Sequence, residues 1–282
     1  MLSFENGRPI AKIIGGEDNS RLIHIKSEDD FSNKKSQRRK CCKCRDCSED
    51  CYDDPCCKNC CMGESEEDLG TEIEFDDGKL VPVPNIDTRQ ILYISGPSGS
   101  GKSTLASKWL EMYRKLFPEK EILLFSRKPK DPVLDRLRLS RFIIDESIVE
   151  NPIDFTKDLR GYGCVVFDDC NTFQNDKVKK AVSKLMHDIL EVGRSFGVYC
   201  VITSHLLNPN EKKDARTIWN EAQEIAIFPK SGNRHAMEYA LKNYCGFDKK
   251  TINGILNLPS RWVIIGKSFP QYVLYENGCY LT

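Results

Sequence analysis

The chain has 282 residues, 40% hydrophobic and 30% charged, and its 42 basic side chains balance 42 acidic ones. That is enough apolar material for a core, which excludes a wholly disordered chain, and at roughly 150 residues per domain the length allows about two domains. No apolar run nears the roughly 18 residues that span a bilayer, and Met1–Arg8 lacks the apolar stretch of a secretory signal, so a soluble, intracellular protein with no membrane partner is expected.

Charge and cysteine are unevenly placed. The stretch before Gln90 is net acidic and the remainder net basic, and nine of the 14 cysteines lie between Cys41 and Cys61. Three regions follow: an N-terminal β-hairpin element (1–35), a cysteine-rich insert (36–69) and a main α/β domain (70–282). In the first, residues 8–14 and 21–25 read as two strands around the turn-rich Gly15–Ser20. Two strands alone are marginal in water, so the hairpin is expected to pack on the main domain or join its sheet.

In the insert, Cys41/Cys44, Cys44/Cys47 and Cys57/Cys60 have C-x-x-C spacing. Two sulfurs so spaced grip one face of a tetrahedral metal. Cys41, Cys44, Cys47, Cys57 and Cys60 are therefore candidate zinc ligands, with the pairing open. An iron–sulfur cluster fits less well, because the spacing matches no standard ferredoxin run. The alternative is a charged, redox-reactive insert. Apolar residues are nearly absent from 33 to 62, so metal must supply any order there.

From Gln90 onward strand and helix alternate. Apolar runs at 90–95, 121–126, 141–145, 164–167, 198–203 and 224–228 read as strands. Apolar residues at helical spacing mark helices over 102–116 and about 176–195, with shorter ones near 234–244 and 249–256. Runs at 262–266 and 272–275 suit a terminal hairpin. Such alternation predicts a mostly parallel sheet covered by helices.

Gly96-Pro97-Ser98-Gly99-Ser100-Gly101-Lys102-Ser103, with Thr104 following, fits G-x-x-x-x-G-K-[ST] between a strand and a helix. Glycines there let backbone N–H groups turn around a phosphate, and the helix start adds unpaired donors and a positive dipole end. Lys102 is placed to reach the β- and γ-phosphates of ATP and Ser103 to bind Mg²⁺. The strand at 164–167 ends in Asp168-Asp169. Asp168 is placed to support the Mg²⁺ shell and Asp169 to deprotonate an attacking water. The long separation between Lys102 and Asp168 leaves room for intervening strands and predicts the additional-strand class of P-loop ATPases.

Residues 191–205, Glu-Val-Gly-Arg-Ser-Phe-Gly-Val-Tyr-Cys-Val-Ile-Thr-Ser-His, resemble the FtsK–HerA superfamily of DNA-translocating ATPases, whose fold is RecA-like. With the Asp-Asp strand end and the chain's size, they look most like the poxvirus-type genome-packaging ATPases of large DNA viruses. The resemblance spans roughly 88–230 and implies a motor acting on double-stranded DNA, a ring of identical subunits, and a setting in a host cytoplasm or virion. It makes Arg194 the candidate arginine finger, reaching the nucleotide of a neighbouring subunit. Where the family usually has a γ-phosphate-sensing glutamine, this chain has His205, and where it often has glutamate, Asp169. Two basic groups are candidates for DNA phosphates: Lys177, Lys179, Lys180 and Lys184, and Arg136, Arg138 and Arg141. Either could equally be a solvated surface. The rival readings of function are a regulatory P-loop ATPase and a nucleotide-dependent zinc scaffold, both acting on protein partners.

Overall fold

The structure is a computed structural model and describes residues 1–26, 69–170, 173–207 and 212–282, with side chains described from 217 in the last stretch. The cysteine segment, and with it Cys41, Cys44, Cys47, Cys57 and Cys60, lies outside the described residues.

The strands in chain order are β1 (Leu2–Ser3), β2 (Arg8–Ile14), β3 (Leu22–Ile25), β4 (Glu72–Glu74), β5 (Lys79–Pro82), β6 (Ile91–Ser95), β7 (Glu121–Ser126), β8 (Ser140–Ile143), β9 (Tyr162–Asp168), β10 (Tyr199–Ser204), β11 (Glu224–Ile227), β12 (Val263–Gly266), β13 (Tyr272–Tyr275) and β14 (Gly278–Leu281). The larger helices are α1 (Lys102–Leu116), α2 (Asp176–Val192), α3 (Lys212–Glu221), α4 (Arg234–Cys245) and α5 (Lys249–Asn257).

Ten strands form the main sheet in the order β4-β14-β13-β12-β11-β6-β10-β9-β7-β8. The six from β8 to β11 run parallel, and β12, β13, β14 and β4 extend the sheet antiparallel. β10 lies between the phosphate-loop strand β6 and the Asp168 strand β9. That inserted strand is the mark of the additional-strand class expected from the spacing.

The central strands are buried at every position, as a sheet covered on both faces requires. Their side chains alternate between two cores. On one face Ile91, Tyr93, Phe167, Cys200, Ile202 and Ile225 pack with Val182, Leu185 and Ile189 of α2 and with Trp219, Leu241 and Ile255 from α3, α4 and α5. On the other, Leu92, Ile94, Val166, Val201 and Ala226 pack with Leu105, Trp109 and Leu110 of α1. Burying a Leu or Ile side chain contributes about 1.5–3 kcal/mol, so these layers hold the carboxyl edge of the sheet rigid.

The N-terminal hairpin joins β1 and β5 in a separate sheet of order β1-β3-β2-β5. Its Leu2, Ile10, Ile13 and Ile23 share the core of α1. Sequence periodicity missed β1, β4, β5, β14 and α3. The strands are two to four residues long, too short to show a period, and α3 packs Ile218 and Trp219 near its end.

Candidate functional site

The phosphate loop leaves β6 at the carboxyl edge of the sheet. Gly99 and Gly101 take positive φ, 77° and 111°, which favours glycine at both. Gly96 is required for space: a Cβ there would stand 2.6 Å from Phe228 Cδ2 and 2.7 Å from Ser100 Oγ. Pro97 and Ser98 complete the turn, and Ser103 and Thr104 begin α1, with Ser103 half-buried and Thr104 exposed.

Lys102 is buried, and its Nζ donates to the carbonyls of Gly96 at 2.9 Å and Pro97 at 3.3 Å. Burial lowers its pKa, opposed by the nearby Asp169 and Asp168 carboxylates. The ammonium thus folds back on the loop, while His205 Nδ1 lies 3.2 Å from it.

Asp168 closes β9 and is 2% exposed. Parallel pairing sets it opposite Thr203 of β10 and Ser126 of β7. The Thr203 hydroxyl donates to Asp168 Oδ1 at 2.8 Å and accepts the Asp169 N–H at 3.1 Å, so one side chain positions both acids. Ser126 Oγ donates to Asp168 Oδ2 at 3.4 Å. Burial raises the pKa of Asp168, with the Thr203 bond working against it. Asp169 sits at φ 51° in the left-handed region, a conformation Asp tolerates better than most residues. Its Oδ2 lies 3.0 Å from His205 Nε2 and 3.5 Å from Lys128 Nζ, and its buried Oδ1 has no hydrogen-bond partner among the described residues.

These atoms suit a hard divalent cation. The Ser103 hydroxyl and the buried Asp168 carboxylate are oxygen donors of the kind Mg²⁺ prefers, and a buried carboxylate with a raised pKa favours a cation beside it.

Lys102, Ser103, Asp168, Asp169 and His205 therefore share the carboxyl edge, but Arg194 does not. It lies in a 3₁₀ turn, Gly193–Phe196, before β10 begins. β10 is six residues long, roughly 20 Å, and it runs parallel to β6, with Ser204 beside Ser95. Arg194 thus stands at the sheet end opposite its own phosphate loop, exposed to solvent. Gly193 before it is packed against Arg89, whose Nη1 would be 2.7 Å from a Cβ and caps α2 through the carbonyl of Ile189 at 2.8 Å. Of the basic groups, Arg141 is tied to Asp135, whereas Arg136, Arg138, Lys177, Lys180 and Lys184 are exposed. Sequence reasoning assigned no role to Thr203, Ser126, Lys128 or Phe228. All four sit at or just past strand ends, and only the polar strand ends of Ser126 and Thr203 were a visible signal.

No family model matches the chain. It is 39% identical over 282 residues to the uncharacterized protein V3 of Sputnik virophage, an alignment covering 99% of this chain and 98% of V3. The chain belongs to the V3 family. Among solved structures, the genome packaging NTPase B204 of Sulfolobus turreted icosahedral virus 2, in complex with AMPPCP, is 11% identical, with a TM-score of 0.45 over 67% of this chain and 97% of B204. The cytoplasmic domain of the Thermomonospora curvata type VII secretion ATPase EccC is 16% identical, with a TM-score of 0.45 over 73% of this chain and 28% of that one. The pCW3 conjugation coupling protein TcpA is 12% identical, with a TM-score of 0.46 over 75% of this chain and 67% of TcpA. Within this V3-family chain, the loop at Gly96–Ser103 and the strand inserted between β6 and β9 make up an α/β P-loop fold with an additional strand. Among the described residues no helix is long and apolar enough to cross a membrane.

Proposed function

We propose that this chain is an ATP-hydrolysing motor that translocates or packages double-stranded DNA in a viral setting. The observation that carries the hydrolytic part is the convergence of Lys102, His205, Asp169 and the buried Asp168 at one sheet edge. Loop N–H groups bind the phosphates, and Lys102 exchanges the Gly96 and Pro97 carbonyls for phosphate oxygens. Mg²⁺, held by Ser103 and Asp168, would neutralise charge on those oxygens. Asp169, held by Thr203 through its backbone and by His205 through its carboxylate, takes the proton from the attacking water.

The DNA part rests on the resemblance of residues 191–205 and on Arg194. A guanidinium at the end opposite its own phosphate loop serves hydrolysis only from a neighbouring subunit, which favours a ring of identical chains. The exposed lysines of α2 and the arginines at 136 and 138 are the candidate contacts to DNA phosphates.

Hydrolysis measured with and without duplex DNA tests the reading. Lys102→Ala should abolish turnover and sharply weaken nucleotide binding, and near-normal turnover in a folded variant would refute the site. Turnover indifferent to DNA would favour a regulatory P-loop ATPase acting on a protein partner.

For residues 41–61 the reading rests on cysteine spacing alone: a structural zinc site. Protein made under reducing, zinc-replete conditions should carry the metal. Less than about half an ion per chain would count against it, since structural sites bind zinc with roughly 10–16 kcal/mol.

A further inference from the structure

We propose that Arg261 is a further nucleotide-binding residue, its guanidinium meeting the anionic α- and β-phosphate oxygens of a nucleotide on the same chain's phosphate loop. The inference rests on the nucleotide reading above and adds a residue from a part of the chain with no motif.

The topology brings Arg261 to the site. β12 runs antiparallel to β11, with Val263 opposite Ile227, and β11 runs parallel to β6. The residues just before Val263 therefore enter from the carboxyl edge, where the phosphate loop lies. Phe228, directly after β11, forms the floor of that loop: it is 2% exposed and crowds Gly96. A Cβ on Gly101 would lie 3.6 Å from Phe228 Cε1 and 3.7 Å from Arg261 Nη2. Arg261 thus stands beside the last glycine of the loop, one residue before the helix whose first N–H groups face the phosphates.

The backbone there is fastened and the side chain is left over. Ser260 is 1% exposed and donates to the Trp262 carbonyl at 2.6 Å. The Glu276 carboxylate accepts the Arg261 backbone N–H at 2.8 Å, and the Glu276 N–H donates back to Ser260 Oγ at 3.1 Å. Glu276 is anchored in turn through its carbonyl, which accepts the Leu80 N–H at 2.7 Å. The neighbouring carboxylate is thus engaged with the Arg261 backbone. Among the described residues no hydrogen bond or ion pair engages the guanidinium, and the residue is exposed. A cation held beside an anion cradle without a partner of its own is placed for phosphate, which a guanidinium binds by paired N–H donors.

Calorimetric titration of the full chain with ADP and with a non-hydrolysable ATP analogue, both with Mg²⁺, tests this. Arg261→Ala should weaken both ligands by a similar factor, about tenfold for one charge-assisted hydrogen bond. Arg261→Glu should weaken them further, and Arg261→Lys should fall between alanine and wild type. Should the alanine variant fail to fold, lowered ADP affinity in a folded lysine variant supports the assignment. ADP affinity equal to wild type in a folded Arg261→Ala chain overturns it, as does a loss confined to the ATP analogue, which would move the contact to the γ-phosphate. A wild-type chain that binds neither nucleotide overturns the phosphate-loop reading itself, and this inference with it.

Discussion

His205 Nε2 lies 3.0 Å from the Asp169 carboxylate. The other ring nitrogen faces the Lys102 ammonium at 3.2 Å, so one imidazole links Lys102 to Asp169. The link exists because β10 runs parallel to β6 and delivers residue 205 directly past the loop, with Gly96 N–H donating to the Ser204 carbonyl at 3.0 Å. Under the function proposed above, Lys102 would turn from the loop carbonyls to engage phosphate, and His205 would report on that change.

His205→Ala should therefore lower kcat by roughly ten- to a hundredfold, the range of a lost positioning contact to a general base. Nucleotide affinity should change little. His205→Gln should recover much of the loss, since an amide spans a similar distance and donates to Asp169. Steady-state kcat and KM for the three proteins check this. Equal loss in the alanine and glutamine variants would leave the ring with a role particular to histidine.

The two acids should separate in their effects. Asp169→Asn should keep Mg²⁺-ATP binding and slow hydrolysis by at least about a hundredfold, as loss of a general base implies. Asp168→Asn should instead raise the Mg²⁺ concentration needed for half-maximal turnover, because Asp168, fixed by hydrogen bonds from Thr203 and Ser126, is the carboxylate proposed to hold the cation. A normal hydrolysis rate in Asp169→Asn would mean that another group activates the water.

Much of this site was legible in the chain because a phosphate loop is local. Its glycines, Lys102 and Ser103 are consecutive, and apolar runs marked the strand before and the helix after. Asp168 and Asp169 were readable as carboxylates ending an apolar strand. What sequence could not supply was the lateral order of strands. Thr203 meets Asp168 only because β10 inserts beside β9, and Arg261 meets Gly101 only because an antiparallel strand is added after β11. Neither contact leaves a period or a spacing to read. The antiparallel extension was visible only as a hairpin at 262–275, since β14 and β4 are too short to show alternation.

A third expectation lies away from the site. Glu224 of β11 is fully buried, bonded by the Tyr272 hydroxyl, with Gln90 and the charge of Arg8 also acting on it. Arg8, whose guanidinium lies 5.8 Å from the Tyr272 ring centre, belongs to the N-terminal sheet, so this cluster joins the two sheets. Burial raises the carboxyl pKa from 4.5 to about 7, against the pull of Tyr272 and Arg8. The folded chain then keeps a proton that the unfolded chain releases. The stabilisation is whole below pH 4.5 and is lost as pH rises through about 7, a change of roughly 3 kcal/mol. Glu224→Gln, which can still accept from Tyr272, should flatten this fall. Denaturant unfolding of both proteins across pH 5 to 8 checks it, and parallel pH profiles would show that Glu224 is ionised in the folded chain throughout.

Arg194 supplies the last expectation. It lies at the far end of β10 from its own phosphate loop, beyond a strand roughly 20 Å long, and its side chain has no ion pair among the described residues. If hydrolysis needs this guanidinium, the nucleotide it serves sits on another copy. Arg194→Ala alone should be inactive, and so should Asp169→Asn alone. Mixed assemblies of the two should recover part of the activity, because some interfaces then join an intact Asp169 to an intact Arg194. A cation at that point stabilises charge spread over the transferring phosphoryl group. Turnover measured over a series of mixing ratios should peak between the two pure variants, with solution mass taken on the same samples. A flat, inactive series would place the function of Arg194 within its own chain, and a monomer that hydrolyses ATP at full rate would remove the need for a neighbouring copy.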